Sequence, residues 1–253
     1  MKMQFLDGGR LRMKRRVFVP GAEREEVMEL PVIATLFRHS KGNVLFDTGC
    51  HPSVATDAEG RWGGMAKFMT PIAPPKQDVI NSLAAVGLRP EDIDIVINSH
   101  LHPDHCGCNG FFTRAQFFCH EAELAAGTAE GAAKMGYLQA EWEHPMRLDT
   151  ICDTFDVFGD SRLVTLHIPG HTPGMIGLRA ELEHSGEFLI ASDAVALERN
   201  LQKDEAPLNA WDADLLVSSY DIVRQRQNAG AKIICGHDDD QWKMLQDGPQ
   251  VYA

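Results

Sequence analysis

The sequence predicts an α+β fold in which two β-sheets pack face to face with helices on the outside. Three observations predict it. Short apolar, β-branched runs alternate with runs of helical period. The same scheme recurs in each half of the chain, although no sequence repeat is visible. The 253 residues are 44% hydrophobic and 24% charged, an ordinary globular composition that buries a sizeable core without disulfides or a structural metal.

In chain order, Val32–Phe37 and Asn43–Asp47 read as two short strands joined by a turn at Lys41–Gly42. Val79, Ile80, Leu83, Ala84 and Val86 share one face of a helix over Asp78–Val86, which Gly87 stops. Ile93–Asn98 is β-branched and almost wholly apolar, the pattern of a strand covered on both faces. Ala115–Cys119 reads as a strand and Glu121–Ala126 as the helix after it. In the second half, Leu163–Ile168, Ile176–Ala180 and Phe188–Ser192 read as strands, Asp212–Asn228 as a long helix, and Lys232–Cys235 as a final strand. His51–Lys76 and Gly127–Asp160 follow no period. Long irregular segments are often lids over a site, or else cover for outer sheet edges. Neither has the composition of a linker, so one domain is expected over residues 1–253.

Charge narrows the partners. With 36 acidic residues against 24 basic, the net charge of -12 repels a phosphate backbone, so no nucleic acid partner is expected. Arg10, Arg12, Lys14, Arg15 and Arg16 form one basic run. It reads as an anion-binding arm or, more simply, as the charge-protected face of an edge strand. No stretch approaches the ~18 apolar residues of a membrane span, and the first residues lack the apolar core of a leader. No membrane partner is therefore expected. The scattered cysteines, Cys50, Cys106, Cys108, Cys119, Cys152 and Cys235, read as free thiols of a cytoplasmic protein.

The residues that carry chemistry sit at predicted strand ends. Asn98-Ser99-His100-Leu101-His102-Pro103-Asp104-His105 directly follows the buried strand and brings together three imidazoles and a carboxylate. In an extended stretch His100 and His102 share a face, and a turn could aim Asp104 and His105 at a second cation. His and Asp together suit zinc and other first-row metals, leaving zinc, manganese, iron and cobalt open. His171 in Pro169-Gly170-His171-Thr172-Pro173-Gly174, Asp193 after Ser192, and His237 in Gly236-His237-Asp238 each follow another strand. Cys106 and Cys108 lie beside these residues, and read as small packing side chains next to Gly107 rather than as thiolate ligands.

This ordered set, with Asp47-Thr48-Gly49 after an earlier strand, resembles the metallo-β-lactamase superfamily from about Pro31 to His237. The resemblance implies an αββα sandwich with two divalent metal ions at one edge. It places His100, His102 and His171 on one ion, Asp104, His105 and His237 on the other, and Asp193 between them. Asp47 would orient an imidazole from outside the ligands; a turn-capping Asp is its alternative reading. Two close cations lower the pKa of a shared water and polarise the oxygen that gains charge, so no Ser or Cys nucleophile is needed. Asp104 is the candidate for handling a proton as the substrate bond breaks.

The segments SHLHPDHCGCNGFF, FDTGCHP and GHDDDQWK resemble the N-acyl homoserine lactonase group in particular. That group implies two zinc ions, a small-molecule ester or lactone substrate, and opening of a lactone ring. Members often carry a Tyr three residues beyond the bridging Asp, where this chain has Ala196. Tyr137 could take that part, or simply pack. A thioesterase, an aryl esterase or a phosphodiesterase of the superfamily, and a metal-binding protein without turnover, are the other readings. Trp62, Met65, Phe68, Met69 and Ile72 could line an acyl pocket or be ordinary loop packing. Apolar loop residues are compatible with a homodimer.

Overall fold

The computed structural model describes residues 1–253 except 73, 75 and 249, the first two inside the 51–76 segment. The strands are β1 Lys2–Lys14, β2 Val27–His39, β3 Gly42–Phe46, β4 Thr70–Pro71, β5 Ile95–Ile97, β6 Gln116–His120, β7 Leu148–Ile151, β8 Leu163–His167, β9 Ile176–Leu182, β10 Gly186–Ser192 and β11 Lys232–Cys235. The helices are α1 Val54–Trp62, α2 Val79–Ala85, α3 Pro103–Cys106, α4 Glu121–Thr128, α5 Gln139–Trp142, α6 Glu198–Lys203, α7 Ala213–Asn228 and α8 Asp239–Asp247.

One seven-stranded sheet runs β4-β1-β2-β3-β5-β6-β7, and a four-stranded sheet runs β11-β10-β9-β8. Both are mixed. β3, β5, β6 and β7 are parallel, as are β10 and β11, while the remaining pairs are antiparallel.

The period-2 pattern of each strand sorts its side chains into layers. Val44, Phe46 and Ile97 of the first sheet meet Leu178, Ala180, Phe188 and Ile190 of the second between the sheets. Leu45 and Val96 point the other way, onto Val79 and Leu83 of α2. On the second sheet Leu189 and Ala191 turn outward onto Leu216, Tyr220 and Val223 of α7. The architecture is therefore the expected αββα sandwich. Burial of each such aliphatic or Phe side chain stabilises it by roughly 1.5–3 kcal/mol.

Every predicted strand and helix is present, with ends shifted by a few residues. The main difference is at the N-terminus, where β1 is a 13-residue strand paired along its length with β2. Its alternation is broken by a bulge between Asp7 and Gly9, which hides the period. Among the described residues its other side pairs with β4 at Leu11 and Arg12 and with Tyr252 at Met3, so the basic run lies on a lightly covered edge. Four of its five cations are paired with acids: Arg12 with Glu29 at 2.9 Å, Lys14 with Glu25 at 2.7 Å, Arg15 with Glu26 at 3.3 Å, and Arg10 with both Glu29 and Asp239. This favours the edge-strand reading over an anion-binding arm. The two irregular segments also hold structure: α1 and β4 in 51–76, and α5 and β7 in 127–160. Among the described residues, no helix is long and apolar enough to cross a membrane.

Candidate metal centre

The parallel register brings the C-terminal ends of β3 and β5 to one edge, and that of β10 and β11 to the facing edge. Asp47 follows β3, His100 to His105 follow β5, Asp193 follows β10, and His237 follows β11. His171 comes from the loop after β8, and the Ile176 N–H to Ser99 carbonyl bond, 3.0 Å, ties the two sheets at this point. All seven residues singled out from the sequence meet here. All are buried except His102, which is half-buried.

They form two groups of donor atoms. In the first, His102 Nδ1 lies 3.1 Å from both His100 Nε2 and His171 Nε2. In the second, Asp104 Oδ2 lies 3.4 Å from His105 Nε2 and 3.6 Å from His237 Nε2. Asp193 reaches both groups. Its Oδ1 is 3.3 Å from His105 Nε2 and 3.1 Å from His237 Nε2, while its Oδ2 is 3.4 Å from His171 Nε2. Ser192, just before it, has the left-handed φ of 48°, which re-aims the chain as the strand ends. Gly236 makes room: a Cβ there would stand 2.5 Å from Asp193 Oδ1, so the residue before His237 must be glycine.

Hydrogen bonds at the far side of the rings fix which nitrogen faces inward. His105 Nδ1 is 2.9 Å from Asp47 Oδ2, His237 Nδ1 is 2.8 Å from the Pro31 carbonyl, and His102 Nε2 is 3.0 Å from the Met135 carbonyl. Asp47 also accepts from the Ser99 N–H at 2.7 Å, the Ser99 hydroxyl at 2.8 Å and the Ser192 hydroxyl at 3.3 Å. Ser99 Oγ is 2.9 Å from His100 Nδ1, so Asp47 acts on His100 through it. A turn cap would not take such partners. Ser99 and Ser192 carry roles that sequence reasoning did not assign, although both lie inside the motifs that drew attention.

The electrostatics divide the rings. Burial and the neighbouring imidazoles hold His100 well below its usual range, and burial pushes His171 down to about 3 although Asp193 opposes it. Both are neutral, the form whose lone pair binds metal. Burial also opposes charge on His105 and His237, yet Asp104, Asp193 and Asp47 raise the first and Asp193 raises the second. Burial works against the Asp193 carboxylate as well, but His237, His105 and His171 keep it well below the usual range. The cluster thus draws positive charge to its carboxylates. His105 Nε2 and Asp193 Oδ1 are buried without a hydrogen-bond partner, an arrangement that is costly unless a cation satisfies both. Three triads, His100–His102–His171, His100–His105–Asp193 and Asp104–His105–His237, each converge within 4.8 Å. The donor set suits a dinuclear divalent metal centre.

The cysteines stay outside it. Burial raises the Cys106 and Cys108 thiols well above their usual range, and they donate to the carbonyls of His102 and Cys50. Ala196 is buried in an apolar cluster with Leu11, Phe18 and Trp62, and its carbonyl accepts the His237 N–H at 2.9 Å. Tyr137 packs its ring 5.3 Å from that of His102, with its hydroxyl beside Glu123 and Thr172. The hydroxyl is buried without a hydrogen-bond partner among the described residues, and the residue also lines the cleft that abuts His171. Trp62 is buried and bonded to Glu141, Met65 and Met69 pack beneath it, and Phe68 projects outward. The cleft that abuts His171 has other walls. It measures about 240 Å³ and is lined by Ala126, Ala132, Met135, Tyr137, Pro173 and Trp211.

An αββα sandwich with an HxHxDH turn and a shared carboxylate defines a class of protein. The chain belongs to the metallo-β-lactamase superfamily, whose family model matches residues 27–237. Within it, the chain is similar to N-acyl homoserine lactonases. It is 30% identical to the N-acyl homoserine lactonase AttM of Rhizobium radiobacter, over 100% of this chain and 99% of that protein. It is 31% identical to an N-acyl homoserine lactonase of a Bacillus species, over 95% and 94%. A solved N-acyl homoserine lactone hydrolase, with N-hexanoyl-L-homoserine bound at its catalytic metal centre, superposes with a TM-score of 0.86 at 27% identity, covering 96% of this chain and 95% of the other.

Proposed function

We propose that this protein is a carboxylic ester hydrolase that opens the lactone ring of N-acyl homoserine lactones. Water adds across the ring C–O bond: its hydroxyl goes to the carbonyl carbon and its proton to the ring oxygen, giving an N-acyl homoserine. The observation that carries the two-ion centre is the split Asp193 carboxylate, one oxygen facing each group of donors, and the likeness to N-acyl homoserine lactonases over the whole chain supports the substrate. His100, His102 and His171 would hold one divalent ion, Asp104, His105 and His237 the other, and Asp193 both. Zinc suits so imidazole-rich a set. Bound there, the two ions supply Lewis acidity and water acidified to near neutral pH.

The chain's own residues do the rest. Asp47, the Pro31 carbonyl and the Met135 carbonyl hold three rings in the tautomer that faces inward. Asp104 faces His105 and His237 in the second group, and its carboxyl, which burial raises, is held low by them. As a carboxylate it would accept the proton that the attacking water gives up and hand it to the departing ring oxygen. Ala196 offers only a methyl group, so no tyrosine hydroxyl assists at that position. The apolar cleft beside His171 is the proposed seat of the acyl chain.

The test is proton release in weakly buffered solution from N-decanoyl homoserine lactone. The zinc-loaded protein is expected to release acid rapidly and the chelator-treated protein not to. Absence of release from protein carrying two ions would overturn the lactonase reading and direct the search to thioesters, aryl esters and phosphodiesters.

A further inference from the structure

Glu123 lies outside the candidate centre, yet it is fully buried on α4. A buried carboxylate costs several kcal/mol unless its oxygens are satisfied, so its partners matter. It is the third residue of the helix, where a glutamate commonly turns back to bond its own N-cap. Here the cap is His120, whose Nδ1 accepts the Ala122 N–H. Glu123 reaches across the fold instead. Its Oε1 accepts the Leu101 N–H at 2.9 Å, and its Oε2 accepts the Gly174 N–H at 3.1 Å.

Those two donors belong to the loops that carry the first group of imidazoles. Leu101 lies between His100 and His102, and Gly174 closes the loop that starts at His171. The contact is tight: a Cβ on Gly174 would stand 2.2 Å from the Glu123 backbone nitrogen. One side chain therefore holds two loops that are 73 residues apart at Leu101 and Gly174 to a common anchor.

We propose that Glu123 is a positioning residue that sets the spacing of His100, His102 and His171, and so the affinity of the first ion. The inference rests on the dinuclear reading given above. An acceptor on each oxygen is what the task requires: a shorter side chain cannot reach both amides, and an amide side chain opposes one N–H with its own donors.

The test measures metal rather than turnover. Wild type, Glu123→Gln, Glu123→Asp and Glu123→Leu are loaded with zinc, dialysed against a graded chelator and analysed for bound metal; cobalt-loaded samples give absorption spectra. Val223→Ala, on the buried face of α7, serves as a comparison of lowered Tm. The wild type is expected to retain two ions. The Glu123 variants are expected to lose one ion at about tenfold or more lower chelator, the size of effect that outer carboxylates have at metal sites. Gln is expected to lose less than Leu, and Val223→Ala to keep both ions. Two ions held equally by all proteins, or equal loss in Val223→Ala at matched Tm, overturns the proposal while leaving the centre intact. A wild type that binds fewer than two ions overturns the dinuclear reading itself, and this proposal with it. Should Glu123→Leu fail to fold, Gln and Asp decide the matter alone.

Discussion

The two donor groups are supported in different ways. The Asp104–His105–His237 group is held at its rings: Asp47 and the Pro31 carbonyl each bond the outer nitrogen of one imidazole. The His100–His102–His171 group is held at two of its rings, by the Met135 carbonyl and Ser99, and in addition at its backbone, where Glu123 bonds the amides of the loops that carry it. Ring bonds fix tautomer in both groups; only the second adds a carboxylate that fixes the distance between its loops. Local structure explains the difference. His105 lies on α3 and His237 between β11 and α8, whereas His171 lies in the irregular loop between β8 and β9. Ser99 links the two arrangements, since its hydroxyl meets both Asp47 and His100 Nδ1.

The largest effect should come from the residue the groups share. Asp193→Ala is expected to lose both ions in metal analysis and to lower kcat/KM by several kcal/mol of transition-state stabilisation, roughly 10³-fold or more. His102→Ala should also lose activity, but retain the ion of the other group. If Asp193→Ala keeps both ions, the comparison of two groups joined by one carboxylate fails.

A smaller effect is expected from Asp47→Asn, which sets an amide against the His105 N–H and the serine hydroxyls. Metal affinity should fall ~10–100-fold, with the loss on the His105 side. Combined with Glu123→Gln, the two losses should add if ring support and loop support are separate, and fall short of adding if Ser99 couples them; titration with a metal indicator reads the difference.

The smallest effect concerns the cleft. Ala132→Trp fills it, and kcat/KM for a decanoyl substrate should drop about tenfold or more, as ~1.4 kcal/mol of lost apolar contact would give, with a butanoyl substrate little changed. Equal losses on both substrates would place the acyl chain elsewhere.

Much of the site was legible because it is contiguous or lies at a strand end. His100, His102, Asp104 and His105 occupy one turn, and His171, Asp193 and His237 each stand out as polar residues after an apolar run. The support was less visible. Ser99 and Ser192 look like ordinary loop serines, and Glu123 looks like the acidic start of a helix, because what gives each its role is a partner far away in the chain. An edge strand is legible at the basic run, but the full length of β1 is not, because a bulge breaks its alternation.

By itself the sequence determined the two sheets, their order of elements and the chemistry of the donors, because periodicity and strand-end position are local properties of the chain. Tertiary structure alone decided which oxygen of Asp193 faces which imidazole, which nitrogen of each ring turns inward, and which carboxylate ties the loops. Those are distances between strand ends from opposite sheets, set by the packing of Phe46, Ile97, Phe188 and Ile190 between them, and no local pattern encodes them.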